Sequence, residues 1–202
     1  MMKKIIIIGA GGHAKSCIDI IESSSKYKIS HILGSKNEFN KKILNYKINL
    51  VDKDLNRIKK NQLGIIGIGQ IKNSKKRKYY YDLLKSIGIK FPVIKSKKSY
   101  VSKHAYLGDG TVVFHGAIIN AGVKVGQNCI INSQALIEHD VLVDNHVHIS
   151  TGAKINGGCK IGSGTFVGSG AVIKQNIKIG KNCIIGAGVV LKKNLSNNLI
   201  IK

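Results

Sequence analysis

Five histidines fall between residues 104 and 148: His104, His115, His139, His146 and His148. A neutral imidazole is the side chain best suited to take a proton near neutral pH. His139 is preceded by Glu138, which falls on a flat face and could pair with a lysine, and followed by Asp140. A second chemical feature opens the sequence, the stretch Gly9-Ala10-Gly11-Gly12-His13-Ala14. Backbone N–H groups of such a glycine loop, at the start of a helix, can hold phosphate. The cysteines offer less. Cys17, Cys129, Cys159 and Cys183 form no CxxC, and no His/Cys pair has metal-ligand spacing. Neither a metal site nor a disulfide framework is expected, and buried thiols in a reducing cytoplasm are.

The elements that must position these groups are set by a period of six. Every sixth residue from Val101 to Leu191 is aliphatic, including Ile119, Ile137, Ile149, Ile155 and Ile173. That period fits neither a helix nor a half-buried strand. It fits a solenoid whose coil is three short strands of one hexapeptide each. Four residues after each aliphatic comes a small or aliphatic side chain, among them Cys129, Cys159 and Cys183, so those cysteines belong inside. Three residues after it comes Gly, Asn, Asp or His in every hexapeptide but one, which has Gln134. These types tolerate positive φ, as corners between flat faces require. His104, His146 and Asp140 occupy such corners. His139 precedes a corner and projects outward, with only Ala121 and Gly157 as stacking neighbours, which leaves space about the imidazole. The sixteen hexapeptides from Val101 to Ser196 make slightly over five coils.

Ahead of the solenoid the pattern is α/β. Lys3 to Ile8 reads as a buried parallel strand, followed by the glycine loop and a helix from about Lys15 to Ser23. Further strands fit Ile29 to Leu33, Gly64 to Ile68 and Ile89 to Val93, and a helix fits Ser74 to Ile87. This is a Rossmann-like unit, but Gly34-Ser35 follows the second strand where a ribose-binding carboxylate would stand, which argues against NAD. The expected domains are residues 1–94 and 95–202. No apolar run is long enough to span a bilayer, and no signal peptide is read at the start. The net charge of +23 is carried almost wholly by lysine, with only Arg57 and Arg77 as arginines. Arginine is the residue of bidentate base and phosphate recognition, so nucleic acid is not the expected partner. The charge can still gather small anions.

The glycine loop, the solenoid behind it, Ile137-Glu138-His139-Asp140 within it, His148-Ile149-Ser150 and Asn156-Gly157-Gly158 together resemble the NeuD/PglD-type sugar acetyltransferases of bacterial surface-glycan biosynthesis. The resemblance implies a left-handed parallel β-helix, acetyl-CoA as co-substrate and a homotrimer with active sites between subunits. It implies acetylation of the amine of a UDP-linked amino-sugar, or O-acetylation of sialic acid. It makes His139 the general base and Asp140 the residue that orients it. It places His148 near the acetyl group and coenzyme A along Gly152, Gly170 and Gly188. Gly11, Gly12 and His13 match the family's nucleotide loop, whereas Gly34-Ser35 departs from its acidic pair. Family members carry a Gly-x-Pro-Ala-Lys-like segment over the cofactor beyond the last coil; this chain ends at Lys202, so either that end is missing or the cofactor is held differently. A non-catalytic scaffold or sugar-nucleotide sensor is the reading from another class. Outward apolar residues Ile118, Ile130, Leu136 and Leu142 give the trimer a physical basis, because an isolated prism would leave them in water.

Overall fold

The structure, a computed structural model, describes residues 2–58 and 60–202. The chain divides into two compact units, Met1–Gly69 with Lys76–Pro92, and Gln70–Lys75 with Val93–Lys202.

In the first unit, four consecutive isoleucines, Ile5 to Ile8, are buried. A continuous apolar run of that kind is buried on both faces, as in the centre of a parallel sheet. It lies in β1 (Lys3–Ile8), flanked by parallel β2 (Tyr27–Leu33) and, after a small antiparallel hairpin of β3 (Lys42–Ile43) and β4 (Tyr46–Lys47), by β5 (Leu63–Ile66). Helix α1 (Gly12–Ser24) buries Cys17, Ile18, Ile20 and Ile21 and ends where Ser25 turns left-handed. It begins three residues before the expected start, directly from the glycine loop. The strand expected at Ile89 to Val93 is reduced to one bridge, Leu63 to Lys90. Arg77 of α2 (Lys75–Ser86) is buried and donates from Nη1 to the carbonyls of Ile66 (2.6 Å) and Ile68 (3.0 Å), which closes the end of β5. Among the described residues no helix is long and apolar enough to cross a membrane.

The second unit is the left-handed parallel β-helix of the hexapeptide-repeat type. Each hexapeptide contributes a strand of two residues, and the strands stack into three parallel sheets of six, five and seven rungs. Ile119 pairs with Ile137, Ile137 with Ile155 and Ile155 with Ile173, one coil apart each time. The aliphatic and small positions form one core from Val113 to Leu195. Each fully buried isoleucine there contributes about 1.5–3 kcal/mol, and neighbouring coils supply the burial that no coil has alone.

The solenoid exceeds the repeat pattern at both ends. Ile94–Lys95 pairs with Val112–Val113 and forms a rung before the first hexapeptide. At the other end the last coil is shorter by two residues. Leu195 bridges to Ile179, and Ile200–Ile201 pairs with Ile184–Ile185. Leu195 therefore fills a large inward position, and the left-handed corner moves from Asn194 to Asn198. The other corners take positive φ as expected, Gln134, Asp140 and His146 included. His104 does not: Ser102 Oγ accepts from its N–H (3.2 Å), and that turn closes without a left-handed residue. Ile130 is another correction. Its face is covered by the chain itself, and Val112, Ile130 and His148 on that outward row are all buried.

All four thiols are buried. Cys129, Cys159 and Cys183 donate from Sγ to carbonyls of the next coil, at 3.1, 3.0 and 3.0 Å. Burial pushes the Cys17 thiol up to about 12 and also raises that of Cys159. A thiolate is the reactive form. Thiol titration of the native protein with a disulfide reagent is therefore expected to show no fast-reacting cysteine, and four after unfolding. A rapid native reaction would contradict the assignment of these side chains to the core.

Candidate functional site

His139 and Asp140 meet at one edge of the prism. Asp140 stands at a left-handed corner, φ 59°, a conformation that Asp tolerates because its short side chain bonds locally. This aims the carboxylate back at its neighbour: Oδ2 lies 2.9 Å from His139 Nδ1. The other carboxylate oxygen rests over Gly122, one coil below. Both side chains face solvent, His139 59% and Asp140 72% exposed. With Nδ1 donating to the carboxylate, the neutral ring presents the Nε2 lone pair.

The space beside His139 is occupied by its own ring. A Cβ built on Gly157 would lie 2.7 Å from both Cε1 and Nε2 of His139. The imidazole thus lies against the glycine one coil above it. Gly157 does not have the positive φ of its neighbour Gly158 (φ 69°), so no backbone demand explains a glycine there. Glu138, which has no part in this pair, accepts from Asn120 Nδ2 at 2.9 Å. The repeat contains this contact, since residues 18 apart stack, and it is the signal that finds Asn120.

His148 lies on another face and is buried. Its Nδ1 is 2.6 Å from the Gln70 carbonyl oxygen, its Nε2 is 3.3 Å from Asn132 Nδ2, and Phe166 packs edge-on at 5.1 Å. The corner glycines Gly152, Gly170 and Gly188 form a column along a third edge, where a Cβ would meet nothing within 4 Å. That edge is open to a ligand's close approach. In one chain it is separated from His139 by the face that carries Leu136, Lys154 and Val172. Two of the other solenoid histidines have structural partners: His115 with Ser96 Oγ (2.6 Å) and His146 with Asn128 Nδ2 (2.9 Å).

In the first unit Gly11 and Gly12 are exposed at the start of α1, which has no side-chain cap, and open space surrounds both. Gly9 carries φ 108°, and a Cβ on it would lie 2.7 Å from Ile68 Cγ1, so the turn into the loop requires glycine. His13, the second residue of α1, lies beside Gly69. At Gly34-Ser35 the nearest carboxylate is Glu38, and it is already engaged. It accepts from Ser35 N (2.8 Å) and Ser35 Oγ (2.6 Å), bonds that hold its carboxyl below the usual range. Among the described residues no cluster of His, Cys, Asp and Glu could hold a metal ion.

Comparison with known proteins agrees with this construction. Residues 4–84 match the PglD N-terminal domain, and residues 140–175 and 158–193 match the bacterial transferase hexapeptide of six repeats. The acetyltransferase domain of PglB from Neisseria gonorrhoeae, solved with acetyl coenzyme A, is 27% identical, with a TM-score of 0.89 over 97% of this chain and 94% of that one. A mutant perosamine N-acetyltransferase from Caulobacter crescentus, solved with CoA and GDP-perosamine, shares the fold at 24% identity, TM-score 0.90, over 99% and 93% of the two chains. WeeI from Acinetobacter baumannii shares it at 23% identity, TM-score 0.85, over 99% and 96%. No curated protein matches the chain by sequence. Fold and repeats together define a hexapeptide-repeat acyltransferase. Its N-terminal residues match the PglD-type domain, in agreement with the resemblance to the NeuD/PglD-type sugar acetyltransferases.

Proposed function

We propose that this protein transfers an acetyl group from acetyl-CoA to the amine of a nucleotide-linked amino-sugar, UDP-linked in the leading reading, with His139 as general base. The observation that carries the reading is the His139–Asp140 pair. It holds Nδ1 at a carboxylate and leaves Nε2 as the acceptor for a proton. The thioester supplies an acyl group already activated for attack. His139 Nε2 takes the proton from the amine as the C–N bond forms, and the C–S bond then breaks with departure of the thiolate. No covalent enzyme intermediate is needed, which agrees with the burial of every thiol. His148 and the open column of Gly152, Gly170 and Gly188 line the path proposed for acetyl-CoA. Gly11, Gly12 and His13 receive the nucleotide at the uncapped start of α1.

Asp140 orients the ring and stabilises the imidazolium. Because it is largely exposed, its charge is screened. Asp140→Asn, which suits the left-handed corner equally, is expected to lower kcat about tenfold with an unchanged melting temperature. Full activity would remove Asp140 from the mechanism.

Sialic acid O-acetylation is the second reading, favoured by the absence of a free carboxylate pair after β2. Acetyl-CoA is to be incubated with UDP-linked 4-amino-sugars and with free and CMP-linked sialic acids, and thiol release followed. Turnover confined to the amino-sugars is the expected result; turnover confined to the sialic acids would replace it with the second reading.

The proposed assembly is a homotrimer. Tyr100 (59% exposed), Ile118 (41%) and Val190 (56%) leave an apolar stripe, interrupted by Lys154, along one face of the prism. A three-fold ring would cover that stripe equally in each copy. Light scattering is expected to give three times the 21.9 kDa chain mass, and a monomer would contradict a site shared between subunits.

A further inference from the structure

We infer that Gln70 is a positioning residue for His148, which it holds as the neutral tautomer with its proton on Nδ1; the functional part rests on the proposal that His148 faces acetyl-CoA. Gln70 is 2% exposed. Its Nε2 donates to the carbonyls of Gly164 (3.2 Å) and Thr165 (3.4 Å), which fastens residue 70 to a corner of the solenoid. Its own carbonyl then lies 2.6 Å from His148 Nδ1. A carbonyl only accepts, so Nδ1 carries the hydrogen.

The opposite side of the ring agrees. Asn132 Oδ1 accepts from Ser133 N at 2.8 Å, which fixes the amide so that Nδ2 faces His148 Nε2 at 3.3 Å. An Asn Nδ2 donates, so Nε2 accepts and carries no hydrogen. Both neighbours therefore select one tautomer, and it is not the one a free neutral imidazole prefers.

Gln70 is costly as a mere filler. Its Oε1 is buried without a partner among the described residues. An orphan acceptor of this kind costs on the order of 1–3 kcal/mol, which an apolar side chain of similar volume would avoid. Turning the amide over would set Oε1 against two carbonyls, so the orientation is fixed. What the glutamine supplies in return is the pair of Nε2 bonds, and through them the place of the carbonyl that His148 uses. The consequence is chemical: with the Nδ1 hydrogen given to the Gln70 carbonyl and Nε2 accepting from Asn132, the His148 ring has no free N–H and delivers no proton to the leaving thiolate.

Nitrogen-15 spectra of histidine-labelled full-length protein read the tautomer directly. The wild type is expected to show His148, assigned by loss of its signal in His148→Gln, protonated at Nδ1 and bare at Nε2. In Gln70→Leu, which keeps the buried volume, the signal is expected to move to a mixture of tautomers. The KM for acetyl-CoA should rise about tenfold with kcat within about twofold, the scale of one lost hydrogen bond. A purely structural glutamine would lower the melting temperature and leave the tautomer in place. A proton on Nε2 in the wild type, or an unmoved signal in Gln70→Leu, overturns the inference. A shifted tautomer with unchanged KM overturns the role toward acetyl-CoA. Should the wild type turn over no acceptor, the proposed function fails, while the spectra still decide whether Gln70 sets the tautomer.

Discussion

Replacing His139 by alanine is expected to cut kcat by about 100- to 10,000-fold, the contribution of a positioned general base. The side chain is 59% exposed and makes one side-chain hydrogen bond, to Asp140. Stability should therefore stay within about 0.5 kcal/mol of the wild type, as for other surface substitutions. The KM for acetyl-CoA should change little, because the open glycine column lies along a different edge of the prism. Three measurements separate the roles: thiol release for kcat, saturation with acetyl-CoA for KM, and a thermal scan for the fold. A low kcat with normal KM and melting temperature places the loss in the transition state. Near-normal turnover would remove His139 as the base and return attention to His148, which lies in the strand His148–Ile149.

The period of six made the solenoid legible because each coil repeats one local rule. Ile137 and Ile155 need no distant information to find their rung; the next hexapeptide supplies it. The same rule failed where the coil changes length. Nothing in Leu191 to Ser196 announces that Leu195 will stack on Ile179, since a leucine satisfies either inward position. His104 misled for a related reason: a hydroxyl two residues earlier closes its turn by another means. The repeat alone reads Ile130 as surface, because burial by segments outside the period carries no periodic signal. Gln70 was illegible for the same reason, as its partners lie 94 and 95 residues away. The candidate pair at His139 stood out because the repeat explains Asp140 at its corner and leaves the histidine unexplained. Its stacking neighbour, Gly157, reads as empty space in the sequence and is the surface on which the ring lies.

That contact yields the second large effect, at a residue with no side chain. Gly157→Ala places a methyl group 2.7 Å from Cε1 and Nε2 of His139, closer than atoms can sit. The imidazole is the far end of a flexible side chain and the backbone is held by the coil, with Asn176 N donating to Gly157 O at 2.9 Å. The ring is therefore what moves. A displacement of about 1 Å at a reacting group can cost 100-fold, so kcat is expected to fall about 10- to 100-fold. Alanine can adopt the backbone of residue 157, which is not left-handed, so stability should hold or rise by about 0.4–1 kcal/mol through the stiffer unfolded chain. Gly158→Ala is the control that reverses the pattern. Its φ of 69° strains alanine, and a Cβ there meets Asn176 rather than His139. The cost should appear as about 1–2 kcal/mol of stability with kcat largely kept. Opposite signatures at adjacent glycines would show that residue 157 is glycine for the sake of the imidazole. Equal losses of stability at both, with kcat untouched in Gly157→Ala, would mean that His139 leaves this position before it acts.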